Sequence, residues 1–278
     1  MISRRKFLSS TAAISVAFPA LRCTSLDTSA TNVQSGSGSR FGPLLKDPEG
    51  IIALPEGFSY KIISRHGEKM SDGFFVPSKH DGMGTLSGPN GLTVLIRNHE
   101  VVRHRPEDGP FGHDLELLSQ IDQSLLYDAG TGGAPPMGGT TTLLYDTKNK
   151  ALVSHHLSLA GTIQNCAGGV TPWGSWISCE EIVNEPGEGR AKEHGYNFEV
   201  PSDLNNPLVR PEPLKAMGRF KHEAIAVHPG SGVVYQTEDL NDGLLYRFIP
   251  DIPSQLNQGG RLEALSIRGN PSLDIRNF

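Results

Sequence analysis

Past residue 40 the chain has no excess of basic charge. Residues 1–40 hold Arg4, Arg5, Lys6, Arg22 and Arg40 against the single acid Asp27, which leaves 20 basic and 29 acidic residues in the remainder. A nucleic-acid binder needs a basic footprint, and none is present, so that class is excluded. Hydrophobic residues make up 37% and aromatics 7%, enough for a core but too little for a membrane protein. No Gly-X-Y period occurs, which excludes collagen. Helical periodicity is nearly absent, and Asp114 to Leu126 is the one stretch with a helix-like spacing. Gly and Pro, by contrast, number 32 and 20 in 278 residues. Their share is well above the average of roughly 12% yet below the roughly 25–30% of low-complexity chains. The composition therefore points to an all-β fold rich in turns.

Familiar catalytic motifs are missing as well. There is no G-x-S-x-G elbow, against a serine hydrolase of the α/β type. Gly133 to Thr140 has the glycines of a phosphate loop without its lysine, and reads as an ordinary loop. Asp239 to Gly243 echoes a calcium loop without the closing glutamate, and a hairpin turn explains it equally well.

The N-terminus reads as an address. Ser3-Arg4-Arg5-Lys6-Phe7-Leu8-Ser9 matches the twin-arginine signal S/T-R-R-x-F-L-K at every position but the last. The stretch from Phe7 to Leu21 is too short and polar to span a bilayer, and Arg22 spoils a lipobox at Cys23, so no stable membrane anchor is expected. The expected layout is a signal peptide over 1–23, a flexible Ser/Thr/Gly-rich linker over 24–40 and a β domain over 41–278. Such a chain is expected in the periplasm or outside the cell, with the twin-arginine translocase as its partner during export. That route carries folded proteins, which suits a protein that takes up metal before it leaves.

Within the β domain, Leu92–Arg97 predicts a strand, and Thr140–Tyr145 with Leu152–Leu157 a hairpin. Ala224–His228, Val233–Thr237 and Leu244–Ile249 predict a three-stranded meander. Thr171–Glu181 overlays on His228–Asp239, each with a turn, a Gly, an apolar strand and a closing pair of acids, and Gly91–Glu100 repeats the scheme more loosely. Repeats of this kind suggest propeller blades, a generic meander being the alternative. In a propeller, equivalent strand ends converge on the central channel, which would gather Glu100, Glu180, Glu181, Glu238 and Asp239. Two carboxylates about 4 Å apart repel by roughly 4 kcal/mol at an effective dielectric near 20. Such a cluster calls for hard cations: calcium, magnesium or ferric iron. Cys166 and Cys179 read either as a disulfide or as one thiolate ligand beside a small buried residue.

Several blocks together resemble the PhoX alkaline phosphatase family. They are Arg97-Asn-His-Glu100, Gly138-Gly-Thr-Thr-Thr-Leu143, Asn165-Cys-Ala-Gly-Gly169, Thr171-Pro-Trp-Gly174, Cys179-Glu-Glu181, His194-Gly-Tyr196, Gly218-Arg-Phe-Lys-His-Glu223 and Thr237-Glu-Asp239. The resemblance runs from about Leu54 to the end of the chain. It implies a twin-arginine-exported, six-bladed propeller that hydrolyses phosphomonoesters with an iron and calcium cluster (Fe3+ and Ca2+). It further implies that Cys166 ligates iron, and that Glu180, Glu181, Glu223, Glu238 and Asp239 supply iron or calcium ligands. Asn98 is the expected hydrogen-bond donor to the phosphate ester, a post-strand turn residue being the alternative. Family members continue past the length of this chain, into blades that carry a further metal-binding glutamate and a phosphate-contacting arginine. The expectation is therefore an incomplete propeller of about four blades, in a fragment, a prematurely stopped chain or half of a split protein, and a poor phosphatase on its own. The rival readings are a calcium-dependent propeller lactonase or esterase and a non-catalytic exported propeller that binds a partner. Iron content separates the phosphatase from both.

Overall fold

The computed structural model describes residues 40–102, 105–271 and 273–274. The signal peptide and all of the linker but Arg40 lie outside the described residues. The chain divides into two compact units, one reaching Lys61 and one starting at Ile62.

The first unit contains a short antiparallel ladder of β1 (Leu44–Leu45) and β2 (Leu54–Pro55). Asp47 organises the turn between them, accepting from the backbone N–H groups of Glu49, Ile51 and Ile52 and from the Tyr60 hydroxyl.

The second unit is built from three antiparallel meanders. The first sheet runs β3 (His80–Ser87), β4 (Thr93–His99), β5 (Gly138–Asp146) and β6 (Ala151–Thr162). The second is β7 (Asn165–Val170), β8 (Ser175–Glu180) and β9 (Asn197–Pro201), with Pro213 bridging to Phe198 where a fourth strand would lie. The third is β10 (His222–Val227), β11 (Val234–Glu238), β12 (Leu245–Pro250) and β13 (Gly260–Ala264). The expected strand at Leu92–Arg97, the hairpin and the meander are all present; β1, β2, β3, β7, β9 and β13 are strands that the sequence reading lacked. With β1–β2 the described residues form four antiparallel sheets, and no closed ring is formed among them.

Apolar faces meet between successive sheets. Val94, Ile96 and Leu159 of the first sheet pack with Trp176, Phe198 and Val200 of the second. On its other side the second sheet sets Ile177 and Cys179 against Ile225, Val234 and Phe248 of the third. The remaining face of the first sheet is covered by the segment before it, with Met70, Phe74 and Val76 packed on Leu157 and Phe111. Burying one such side chain is worth roughly 1.5–3 kcal/mol, so these layers fix how the sheets stack.

The first strand of each meander faces the first strand of the next, with β7 between β3 and β10. Glycine makes this approach possible. A Cβ on Gly82 would stand 2.7 Å from the Ala167 Cα, and one on Gly169 would stand 2.3 Å from the Ile225 carbonyl oxygen.

The helix expected over Asp114–Leu126 is absent. Two single-turn 3-10 segments, Leu118–Gln120 and Gln123–Leu125, take its place. Leu115 sits in the left-handed region at φ 59°, and Asp122 accepts from the Ser124 N–H to start a fresh turn. Leu115, Leu117, Leu118, Ile121, Leu125 and Leu126 all pack on one core cluster, which a single helical stripe would not allow.

Candidate metal centre

Equivalent positions of the three meanders come together beside β7. Cys166 Sγ and carboxylate oxygens of Glu181 and Glu223 all lie within 4.8 Å of one another. Cys166 is on β7, Glu181 directly follows β8, and Glu223 is on β10. The Asp239 carboxyl, directly after β11, shares a hydrogen bond with Glu181. Glu100, directly after β4, is joined to the cluster through Gln164, whose Nε2 donates to Glu100 Oε1 at 3.3 Å and to Glu181 Oε2 at 3.4 Å. Asp81 of β3 shares a hydrogen bond with Glu100 and adds one more acid.

Little positive charge balances this group. Lys221 Nζ reaches Glu181 Oε1 at 4.0 Å, and it is the one cation paired with these acids among the described residues. Burial together with the Asp239 and Glu223 carboxylates pushes the Glu181 carboxyl up to about 7. Burial and the Asp239 charge also raise Glu223, and burial with Asp81 raises Glu100. Cys166 and Cys179 are free thiols, and burial holds both thiol pKa values above the ordinary range. Cys179 is a wholly buried core residue, whereas Cys166 Sγ lies near the backbone carbonyls of His222 (3.3 Å) and Glu223 (3.5 Å). A thiol beside crowded carboxyls, each favouring its protonated form, is a donor set that a hard cation would relax. The residues present therefore fit a metal site.

Residues 39–149 and 136–275 match the family described as alkaline phosphatase PhoX. The chain belongs to the PhoX family. No curated protein sequence matches it significantly.

Three residues expected at the site of this PhoX-family chain lie elsewhere. The Glu180 carboxylate turns into the core and is wholly buried. It accepts from the N–H groups of Ile163, Gly195 and Tyr196 and from His194 Nδ1 at 2.7 Å. His194 also donates from Nε2 to Asp128 Oδ2 at 3.2 Å. Burial opposes a charge on this ring, but the two carboxylates overcome it and raise His194 to about 9. Glu238 faces the β11–β12 turn, where its Oε2 accepts from the Leu244 N–H and the Tyr246 hydroxyl. Asn98 is wholly buried, and its amide is fully used. Its Nδ2 donates to the carbonyls of Cys166 (3.1 Å) and Ala167 (2.6 Å), and its Oδ1 accepts from Trp176 Nε1 (2.9 Å) and Ser178 Oγ (3.0 Å). An amide with four partners has no donor left for a substrate. Asn98 instead pins β7, and with it Cys166, to β4.

The sequence reading missed Asp81 and Gln164. Gln164 immediately precedes the Asn-Cys-Ala-Gly-Gly block, a signal that it could join the site; Asp81 carried no signal beyond the closely spaced Gly82 and Gly84 after it.

Proposed function

We propose that the chain is an exported phosphomonoesterase whose reaction centre is the cluster around Cys166. The observation that carries this reading is the gathering of Cys166, Glu181 and Glu223 within 4.8 Å, each from a different strand end of two neighbouring meanders, in a chain of the PhoX family. We read the three meanders as successive propeller blades. Strand ends that face a common axis and bring carboxylates together are the arrangement such a fold supplies.

Cys166, Glu181, Glu223 and Asp239, with Glu100 and Asp81 at the margin, would hold ferric iron and calcium. Bound cations of this kind supply charge neutralisation of phosphoryl oxygens and Lewis-acid polarisation. The chain's own residues prepare the place. With a cation bound, the Cys166 thiol and the Glu181 carboxyl would release their protons to solvent and present anionic donors. Gln164 keeps Glu100 and Glu181 at a fixed separation by donating to both. Lys221, next to Glu181, adds a positive charge that draws a phosphate dianion to the rim.

The test is hydrolysis of p-nitrophenyl phosphate by protein loaded with iron and calcium, with metal content measured in parallel. Cys166→Ser, Glu181→Gln and Glu223→Gln should each lower bound metal and turnover together. Turnover unchanged in all three, or a protein that binds calcium and no iron yet cleaves lactones, would move the function elsewhere. Export is proposed from Arg4 and Arg5: replacing both by Lys should keep the chain in the cytoplasm, and a double variant that still reaches the periplasm would refute the address. No helix among the described residues is long and apolar enough to cross a membrane.

A further inference from the structure

We propose that Arg97 forms a binding site for a small inorganic anion, separate from the carboxylate cluster and independent of the phosphatase reading. Arg97 is on β4, beside Asn98, and strand alternation sends the two side chains to opposite faces of the first sheet. Asn98 reaches β7 and β8; Arg97 lies on the face covered by the segment before β3.

There Arg97 is 5% exposed. Its Nη2 donates to Ser64 Oγ at 3.1 Å and to Thr141 Oγ1 at 3.2 Å. Its Nε is buried with no partner, and so is the hydroxyl of Ser78. Ser78 belongs to the same assembly: its carbonyl accepts from His99 Nδ1, and His99 Nε2 meets the Thr141 hydroxyl that Arg97 also uses. Among the described residues Arg97 makes no ion pair, unlike Arg105, Arg190, Arg219, Arg247 and Arg261.

Charge compensation around it is weak and comes without an ion pair. The nearest acid in its field, Glu68, is exposed, and its Oε2 accepts from the Arg65 N–H. Asp72 is turned to the Leu157 N–H, and His66 Nε2 is engaged with the Glu107 carbonyl. His80, His99 and His155 are kept neutral by burial, with the Arg97 charge acting in the same direction. Burial lowers Arg97 itself only to about 10, so it is a cation at neutral pH.

A buried guanidinium with no ion-pair partner is costly. A water molecule would satisfy the Nε hydrogen bond and leave the charge; an anion answers both. On β3, Met83, the register partner of Arg97, and His80 are exposed, so the nearest solvent lies on that side. So little of Arg97 is open that the ligand is a compact ion, a halide or a tetrahedral oxyanion, and not an organic ester. Arginine suits either through its directed N–H groups.

The test uses the full chain with metal removed, at constant ionic strength, with a bulky organic anion replaced stepwise by chloride or by sulfate. A saturable rise in Tm of about 4 °C is expected with the preferred ion. The two series tell a spherical from a tetrahedral ligand. The rise should persist in the Glu181→Gln, Glu223→Gln double variant and vanish in Arg97→Met. Crystals soaked in bromide should show an anomalous peak at hydrogen-bonding distance from Arg97 Nε, which needs no variant to fold. No saturable rise in the wild-type chain, a rise that survives Arg97→Met, or bromide found only away from Arg97 would each overturn the proposal.

Discussion

The carboxylates of Glu180 and Glu181 leave the same strand end in opposite directions. Glu180 goes to His194 in the core, and Glu181 joins Cys166 and Glu223. The same split recurs at the ends of the other second strands. His99 and Glu238 turn to hydrogen bonds within their own sheets, while Glu100 and Asp239 join the acidic group. Two-residue alternation along a strand therefore sorts each pair into one structural and one candidate metal-binding residue.

That division predicts opposite phenotypes for adjacent substitutions. Glu180→Gln removes an anion that faces a buried imidazolium, and breaking such a pair should cost about 3–5 kcal/mol of stability. Glu181→Gln relieves repulsion, so the metal-free protein should be as stable as the parent or more so, while its metal affinity falls. Urea unfolding and metal analysis on both variants decide the matter; equal destabilisation would end the distinction.

His194 predicts a stability that depends on pH. Its folded pKa is raised from 6.5 to about 9, so its contribution is complete below 6.5 and is lost as pH rises through 9. Asp128 is lowered from 3.8 to about 2: burial opposes this, but the His194 contact and backbone N–H donors prevail. Its contribution is present above 3.8 and lost as pH falls through 2. Between pH 6.5 and 9.5 the parent should lose roughly 3 kcal/mol. His194→Gln should start less stable and keep only the shallow slope near pH 7 that Glu181, raised to about 7, leaves, with a flat profile above it. A variant with the parent's slope would assign the titration to another group.

Much of this was legible in the sequence. The overlay of Gly91–Glu100, Thr171–Glu181 and His228–Asp239 lands on β4, β8 and β11, each the second strand of its sheet. The overlay could not tell which acid of each pair faces the cluster, because alternation fixes that neighbours diverge but not which face is which. Asn98 was misjudged because its four partners come from β7 and β8, and such long-range pairing leaves no local pattern. Asp114–Leu126 misled because its leucines have helix-like spacing while the backbone breaks at Leu115 and Asp122.

Asn98→Ala should be among the more damaging single substitutions. It strands the carbonyls of Cys166 and Ala167 and the donors of Trp176 and Ser178 in a buried place. Each unsatisfied buried group costs about 1–3 kcal/mol, partly offset by relaxation. Chemical denaturation should show a loss of several kcal/mol, and Cys166, no longer held to β4, should react faster with a thiol reagent. Unaltered stability with unaltered thiol reactivity would show that the amide does not hold β7.

Gly169 gives a separate test of whether the meeting of β7 and β10 builds the site. A Cβ there would stand 2.3 Å from the Ile225 carbonyl oxygen and 2.6 Å from its Cδ1. The first obstacle is backbone, so Gly169→Ala has to push β10 away from β7, at a cost of about 1–3 kcal/mol. Cys166 is three residues before Gly169 on β7, and Glu223 is two before Ile225 on β10. A shift between the strands therefore pulls two of the three gathered ligands apart, and metal affinity should fall along with stability. Gly174→Ala supplies the control. That glycine has φ +91° and a Cβ would meet only Ser202 Oγ at 3.9 Å, so alanine strains the turn without moving β7 against β10. Gly174→Ala should lower Tm and keep metal affinity, whereas Gly169→Ala should lower both. If the two variants bind metal equally well, the contact between β7 and β10 does not set the spacing of the ligands.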